Sequence, residues 1–482
     1  MTTPMAGAMV NRNCSTANWL DEELAGCHFG DVRLDRRLRG LMECLADDVG
    51  QSIPMACEDW ANTKAAYRFF SNEHVSETEI LAGHFEATRG RVAAADGPIL
   101  ILHDTTEFAF KRGDGSAIGW TNRLILKTAN GKGPVRQHTM CGVFMHSSLA
   151  VTTQGLPLGL AAIKLWTREK LGVRQALKKH KRRLLPIQEK ESFRWLENLR
   201  QSTTGLGNPD RCVHVGDREA DIFELFHAAD EIGTHFLVRA NNNRLTRDGG
   251  PRVEQVLENT PVAGTHLIRF KDSQGTAHTA ELEIKHRRLR IVPQPGKRKN
   301  LSPLDVTFIY AVEKTQPTAR PKIEWRLVTD LAIGSLADAI EKLDWYAMRW
   351  KIETYHKILK SGCRIEESKM RTAARLTNLI AVSCILGWRI FWMTMINRTD
   401  AHIPPKVALT DLEIQLLDRL VKDKKTPNQK DLSHYINKIA RLGGYLARAS
   451  DPPPGNIVIW RGLSKLAHIT IGATQGIRLV GN

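Results

Sequence analysis

The chain has 482 residues, of which 42% are hydrophobic, so it is long enough for about three domains with a large core. Its 69 Lys and Arg residues exceed its 52 Asp and Glu residues, and the formal net charge of +17 favours a polyanionic partner, above all nucleic acid. The eight cysteines form no C-x-x-C pair and the first residues lack a basic segment followed by an apolar run, so neither a zinc site nor a secretory signal is expected.

Residues 1–95 are predicted to form a small helical domain with a basic surface. Asp31 can cap a helix over 32–45, in which leucines recur every three or four positions and make an apolar seam. The arginines on the other faces of this helix include Arg33, Arg36 and Arg37. Ser76 and Glu79 form a capping box for a further helix.

Residues 96–398 have the pattern of an α/β domain. The run from Ile99 to Leu102 is apolar throughout, as in a strand covered on both faces, and it stops at His103 and Asp104. The next predicted elements are strands at 138–151, 158–166, 212–215 and 236–239 and helices at 192–200 and 220–229. Meandering strands followed by alternating strands and helices indicate a mixed sheet flanked by helices.

Between about 240 and 330 the helical periodicity disappears, which predicts a β-strand insertion in this domain. Its strands are expected at 267–271, 279–284, 288–292, 306–312 and 325–328. The turn at 296–300 is strongly basic, and it either contacts a phosphate backbone or is simply solvated.

Helices are predicted for the rest of the chain. A long helix begins after Ser335 and ends at Gly362. The stretch 376–396 is apolar for 21 residues, but its polar residues, including Arg389, favour a buried core helix over a membrane span. Residues 399–482 form a helical C-terminal region.

The long helix carries four chemically distinctive residues on one stripe: Tyr346, Arg349, Glu353 and Lys360. In a continuous helix these positions fall within about 60° of one another, opposite an apolar face. A carboxylate placed between two cations can serve a site that holds both phosphate and metal. The alternative is a solvated face with an ordinary ion pair between Arg349 and Glu353.

Two more carboxylates follow predicted strands, Asp104 in the sequence HDTT and Asp217 in the sequence GDREAD. Ligands collect outside strand ends in α/β sheets, so these two carboxylates could meet there, with Glu353 as the third. Each has an ordinary interpretation, Asp104 as a turn residue and Asp217 as the N-cap of the next helix. Mg²⁺ prefers such oxygen ligands, Mn²⁺ can substitute, and two ions together support in-line displacement at phosphorus.

The three acidic motifs and the helix stripe resemble the DDE transposases of bacterial insertion sequences, in particular the group that contains the transposase of transposon five. That family has a Tyr-(2)-Arg-(3)-Glu-(6)-Lys pattern, and the four stripe residues reproduce its spacing. Its first acidic residue lies in Asp-Thr-Thr, as Asp104 does, and its second in Asp-Arg-Glu-Ala-Asp, as Asp217 does. The resemblance covers about residues 25–480 and is strongest over 98–370.

The resemblance implies a ribonuclease-H-like catalytic domain with a β insertion, an N-terminal DNA-binding domain and a C-terminal dimerisation region. It implies catalytic and metal-binding roles for Asp104, Asp217 and Glu353. The implied DNA contacts are Tyr346, Arg349, Lys360, Arg239 and Trp325. Four further basic residues are predicted to contact DNA: Lys357, Arg33, Arg36 and Arg37. Trp325 would accommodate a base flipped from the transposon end, and its alternative is a core tryptophan.

Members of the family cut and paste DNA by nicking, hairpin formation and opening, and strand transfer, and two protomers synapse two ends. We therefore expect a Mg²⁺-dependent transposase that acts on double-stranded DNA as a homodimer, in a bacterial cytoplasm and without a membrane. Two alternatives remain, a structure-selective nuclease of the same fold without joining activity and a catalytically silent DNA-binding repressor derived from a transposase. The N-terminal extension, the altered basic helix and the longer segment between Asp104 and Asp217 leave the recognised DNA end undetermined.

Overall fold

The structure is a computed structural model, and it describes most of the chain. The described residues are 19–48, 50–112, 114–126, 136–169, 185–247, 249–271, 276–294, 301–318, 320–398, 402–423, 430–448 and 451–480. The basic turn predicted at 296–300 lies outside these residues.

The N-terminal part contains five described helices. They are α1 Trp19–Leu24, α2 Val32–Asp47, α3 Ile53–Cys57, α4 Trp60–Phe70 and α5 Glu77–Ala93. Asp31 caps α2 by accepting the backbone N–H of Arg33, and the capping box of Ser76 and Glu79 opens α5, so both predicted helix starts are confirmed. The leucine seam of α2 is buried, which leaves its arginines on the solvent side.

The described strands form one ten-stranded mixed sheet with flanking helices, the ribonuclease-H-like architecture expected from the sequence. The strands are β1 Ile99–Phe110, β2 Trp120–Leu126, β3 Arg136–Thr152, β4 Pro157–Trp166, β5 Cys212–Gly216, β6 His235–Arg239, β7 Gly264–Lys271, β8 Ala277–Ile291, β9 Leu304–Glu313 and β10 Glu324–Thr329. Their order is β2-β3-β1-β5-β6-β10-β9-β8-β7, and β4 pairs with β3 beside β2. The pairs β1–β5 and β5–β6 are parallel, and the other pairs are antiparallel.

Helices cover both faces of the central strands. Those that follow β4 are α6 Arg194–Leu206, α7 Phe223–Ile232, α8 Val253–Glu258, α9 Leu336–Ala347, α10 Trp350–Lys357 and α11 Ala373–Ile396. Within β6, Phe236 and Val238 pack into the core with α6 and α7, whereas Leu237 packs into the core with α10 and α11. The alternation follows from the two-residue period of a strand and explains why β6 is apolar on both faces.

The segment 240–330 differs from the prediction in two respects. It contains a short helix, α8, and β8 is one strand where two were expected. Charged residues interrupt the apolar pattern of β8, yet its backbone pairs with β9 without interruption from Leu282 to Ile291. The inserted strands continue the main sheet, since β10 pairs with β6. Strand β2 was also missed.

The predicted single helix from Ser335 to Gly362 is wrong. The structure divides it into α9, α10 and a wider turn at Ile358–Gly362 in which the Cys363 N–H bonds to the Ile358 carbonyl. Between α9 and α10 the backbone bonds span three residues, as in the bond from the Ile352 N–H to the Arg349 carbonyl. The break allows α9 to pack against the inserted strands while α10 packs against β1 and α11.

Helix α11 is the apolar stretch that resembled a membrane span. It is long and apolar enough to cross a membrane, but 89% of its most apolar stretch is buried inside the protein. Arg389 of this helix is stacked 4.6 Å from the Trp19 ring and bonded to the Ala408 carbonyl. The core-helix interpretation is therefore confirmed. The C-terminal helices are α12 Asp411–Leu420, α13 Leu432–Leu442 and α14 Asn456–Val480.

Candidate active site

Asp104 on β1 lies level with Asp217, which directly follows the neighbouring strand β5. The parallel pairing of β1 with β5 ends at Leu102 and Val215. The same offset, continued by two residues, sets Asp104 opposite Asp217 just outside the paired region. Since paired strands lie about 4.8 Å apart, this register brings the two carboxylates to one edge of the sheet, where α/β folds bind ligands.

The expectation that β1 stops at His103 and Asp104 is wrong. The strand continues to Phe110 because its other edge pairs with β3 throughout, with Asp104 opposite Ser147. Asp104 is therefore an interior strand residue that lies beyond the end of its parallel neighbour. A continuous strand fixes its backbone more firmly than the predicted turn would.

Asp217 begins a tight turn over Arg218–Ala220, and its Oδ1 accepts the Glu219 N–H at 2.8 Å. The capping interpretation is thus realised in the structure. A carboxylate has a second oxygen and several lone pairs, so a cap and a metal ligand are compatible roles. The cap also orients the carboxylate at the carboxyl end of β5.

Arg349 connects the first and third acidic residues. Its guanidinium lies 3.5 Å from Oδ1 of Asp104 and forms a short ion pair with Glu353. Burial by itself would lower the pKa of Arg349, but the Glu353 and Asp104 carboxylates raise it above the usual value. One cation therefore already bridges carboxylates from β1 and α10.

The complete trio is not assembled at metal-binding distances. Oxygens of Asp104, Asp217 and Glu353 do not all lie within 4.8 Å of one another. The structure brings Asp104 to Glu353 through Arg349 and brings Asp104 to the level of Asp217 through the strand register. Of the two carboxylates that contact Arg349, Glu353 is the more exposed, with 53% of its side chain accessible against 21% for Asp104.

Sequence reasoning missed His356, which contacts Asp104. Its Nδ1 lies 3.4 Å from Oδ2 of Asp104, and its Nε2 lies 2.7 Å from the Ser147 hydroxyl on β3. The side chain is 6% exposed. A usable signal was present, because His356 follows Glu353 by three residues and so shares its helix face.

Tyr346 is not on an exposed stripe as predicted. It is buried, its ring meets the Trp325 ring edge-on at 5.6 Å, and burial raises the pKa of its hydroxyl. Arg239 lies beside them and donates to the Glu324 carbonyl at 3.0 Å. Trp325 is half-buried, so it is neither a fully buried core residue nor a free surface platform.

The remaining predicted cations have different exposures. Lys357 is exposed in the last turn of α10, and Lys360 is half-buried in the wider turn that follows. Arg33, Arg36 and Arg37 are exposed on α2. Lys360 therefore lies in the wider turn, outside the regular helix from which the single stripe was inferred.

A cavity of about 670 Å³ lies beside residues 104–107 of β1 and the carboxyl end of β5. Its carboxylates are Asp104, Glu107, Glu191, Asp217, Glu219 and Asp221, and its guanidinium groups are Arg168, Arg194 and Arg218. The lining is thus more acidic than the chain as a whole, which suits a bound cation. Sequence reasoning missed Glu191, which Arg168 binds through two nitrogens at 2.9 and 2.7 Å.

Two buried, neutral histidines, His103 on β1 and His214 on β5, lie next to the cavity. His103 lies 2.8 Å from His214 and 3.0 Å from the Ser148 hydroxyl. Burial lowers the pKa of His103 to about 3 and holds the pKa of His214 well below its usual range. These side chains therefore add hydrogen bonds without adding charge beside Asp104.

Two segments match models of known protein families. Residues 16–75 match the transposase DNA-binding family, and residues 191–386 match the transposase DDE domain family. The chain carries two transposase domains. The first match contains α1 to α4 with the exposed arginines of α2, and the second contains Asp217 and Glu353. Asp104 precedes the second match, so its place in the site rests on the strand register and the contact with Arg349.

Domains of the DDE class use divalent metal ions, and the local chemistry fits such ions. The candidate ligands are carboxylates, which hard divalent cations prefer. The guanidinium of Arg349 already spans Asp104 and Glu353, so a positive charge is accommodated between them. Asp104, Asp217 and Glu353 are the residues that would hold the ions.

Among the described residues, another acidic cluster has its ligand atoms within 4.8 Å of one another, but it is unsuited to a metal ion. Asp418, Asp423 and His434 lie in the C-terminal region. Lys438 is nearly buried there and pairs with both aspartates, at 2.7 and 3.0 Å. The lysine therefore supplies the positive charge that a metal would bring.

Proposed function

We propose that the protein is a cut-and-paste DNA transposase, related to the transposases of bacterial insertion sequences, that uses Mg²⁺ at Asp104, Asp217 and Glu353. The observation that carries the proposal is that Asp104 on β1 lies level with Asp217, which follows the adjacent parallel strand β5, with Glu353 tied to Asp104 through Arg349. The proposed reaction sequence is nicking, hairpin formation and opening, and strand transfer.

When bound, the metal ions activate the attacking oxygen and stabilise the leaving oxygen at phosphorus. The chain's own residues position the DNA. Arg349 exchanges its two carboxylates for a phosphate of the transferred strand, and Lys357 and Lys360 contact neighbouring phosphates. This exchange frees Glu353 to approach Asp104 and Asp217.

Arg239, Trp325 and Tyr346 form the proposed clamp for the end of the transposon. The edge-on contact between the two aromatic rings fixes Trp325 beside the strand that carries Arg239. A half-buried tryptophan can stack with an extrahelical base on its free side. The exposed arginines of α2 supply the separate contact to double-stranded DNA.

The further proposals concern assembly and location. We expect two protomers to synapse two ends through residues 399–482, and we expect the protein to act in the cytoplasm on chromosomal or plasmid DNA. Residues 1–95, 96–398 and 399–482 are the proposed DNA-binding, catalytic and dimerisation regions.

The test is cleavage of the inverted repeats that flank the protein's own element, using the purified full chain with and without Mg²⁺. The proposal predicts nicks at the element ends, followed by hairpin ends, in Mg²⁺ only. A second reaction with precleaved ends and a target plasmid must give joined products. Cleavage without joining would identify a nuclease, and binding without cleavage would identify a repressor.

A further inference from the structure

Asp221 is a buried carboxylate that follows β5, and its hydrogen-bond partners lie in the segment after the neighbouring strand β6. It follows Asp217 by four residues in the same turn, and its side chain is 1% exposed. Its Oδ2 accepts the backbone N–H groups of Asn241 and Asn242, each at 2.6 Å. Its Oδ1 forms an ion pair with Arg244.

The connection is reinforced through the main chain of the same residue. The Asp221 carbonyl accepts the side-chain amide of Asn242 at 2.9 Å and the guanidinium of Arg244 at 3.1 Å. Arg244 in turn lies 5.3 Å from the Phe226 ring on α7. One residue therefore fastens the turn after β5 to the segment after β6 and to the helix between them.

Asp221 is unsuited to be a metal ligand itself. Both of its oxygens already accept hydrogen bonds from groups that carry positive charge or partial positive charge. Drawing the carboxylate away from those donors would leave a buried guanidinium without its counter-charge and two backbone N–H groups without their acceptor, which is costly. Its position nonetheless matters, because Asp217 begins the turn that Asp221 ends and Arg239 ends the strand that precedes Asn241.

We infer that Asp221 is a positioning residue, which holds the turn carrying Asp217 at the level of Asp104. This inference rests on the proposed function and adds to it a fixed frame for the metal ligands. In this frame Asp217 does not need to be ordered by the incoming ion, so less free metal is required to fill the site. The same bonds set the direction in which the chain leaves Arg239.

The main test is the variant Asp221→Asn in the full chain. It keeps the volume of the side chain but removes its charge and one acceptor. We expect about a tenfold or greater rise in the Mg²⁺ concentration that gives half-maximal nicking, and a matching loss in Mn²⁺ affinity measured by electron paramagnetic resonance without DNA. We also expect faster hydrogen exchange at the amides of Asn241 and Asn242.

The matched control is Glu313→Gln. Glu313 is a buried carboxylate on β9 that pairs with Arg320 and accepts the Ile323 N–H at 3.1 Å. Its loss removes the same kind of interaction away from the cavity. We expect this variant to lose thermal stability while its metal requirement stays within twofold of wild type.

A double variant separates positioning from general stability. Asp221→Leu with Arg244→Met replaces the buried ion pair by apolar side chains, a change that often preserves stability. This pair cannot accept the two backbone N–H groups, so we expect the shifted metal requirement to persist. A double variant, or a folded Asp221→Asn variant, with wild-type Mn²⁺ affinity and wild-type exchange at Asn241 and Asn242 would overturn the inference.

The measurements distinguish this inference from the proposed function. Absence of nicking by the wild-type protein would reject the function. Mn²⁺ affinity and amide exchange do not depend on DNA cleavage, so they still decide whether Asp221 positions Asp217.

Discussion

The exposed arginines of α2 and the acidic cavity between β1 and the end of β5 have opposite electrostatic characters within one strongly basic chain. Arg33, Arg36 and Arg37 lie in solvent, where they can meet a phosphate backbone at little desolvation cost. The cavity has six carboxylates against three guanidinium groups and would repel the same backbone unless cations enter. DNA affinity and phosphoryl-transfer chemistry should therefore be separable by substitution.

The largest expected effect comes from neutralising a proposed metal ligand. Asp217→Asn or Glu353→Gln should reduce nicking about 1,000-fold or more, because a ligand charge is lost at the reacting phosphate. Binding to the element ends should stay within about twofold, since α2 is untouched. Nicking of labelled ends and gel shifts measure the two properties. Normal nicking by either variant would reject the assignment.

The converse substitution removes the cations of α2. The triple variant Arg33→Ala, Arg36→Ala, Arg37→Ala should weaken end binding by about tenfold or more and reduce the slope of log affinity against log salt by up to about three. The matched control is Arg89→Ala, which removes an exposed arginine on α5 outside the matched DNA-binding segment. Equal salt slopes for the triple variant and the wild type would contradict a phosphate-binding role for α2.

Arg349 takes part in both functions. It pairs with the carboxylates of Asp104 and Glu353 in the structure, and it contacts a DNA phosphate in the proposed complex. Arg349→Ala should lower nicking about tenfold to a hundredfold while Mn²⁺ binding by the free protein is kept or strengthened, because a competing cation has been removed. Lys360→Ala should weaken strand processing without the gain in Mn²⁺ affinity. Loss of Mn²⁺ binding in Arg349→Ala would show that the guanidinium organises the carboxylates and does not compete with metal.

The smallest effect concerns stability and pH. The lowered pKa of buried His214 means that the folded protein resists a proton that the unfolded chain accepts below about pH 6.5. Stability should therefore fall as the pH drops below that value, by about 1.4 kcal/mol per pH unit for each such histidine. Thermal unfolding from pH 7 to 5 should show a shallower loss in His214→Asn. An identical pH dependence would contradict the buried neutral state.

The sequence predicted the parts of the site that depend on local patterns. The apolar run before Asp104, the motif around Asp217 and the pattern around Glu353 were each readable, because strands and helices have characteristic periods. The helix break at Met348 and Arg349 was not readable, since residues that favour helix continue through it and the two helices pack on different neighbours.

Contacts between residues far apart in the chain could not be predicted from the sequence either. Arg349 was assigned to Glu353 from helical spacing, and that pair is present. Its contact with Asp104, 245 residues away, depends on the position of β1 relative to α10. The same applies to Asp221 and Arg244, because nothing local indicates that the end of one motif accepts the backbone of the segment after the next strand.

The central claim is that Asp104, Asp217 and Glu353 share divalent metal when DNA is bound. Its most direct test is anomalous diffraction from crystals of the full chain with an element end and Mn²⁺. The account predicts Mn²⁺ within coordination distance of all three carboxylates, with Arg349 turned to a phosphate. Mn²⁺ bound without one of these carboxylates, in a complex poised for cleavage, would contradict it.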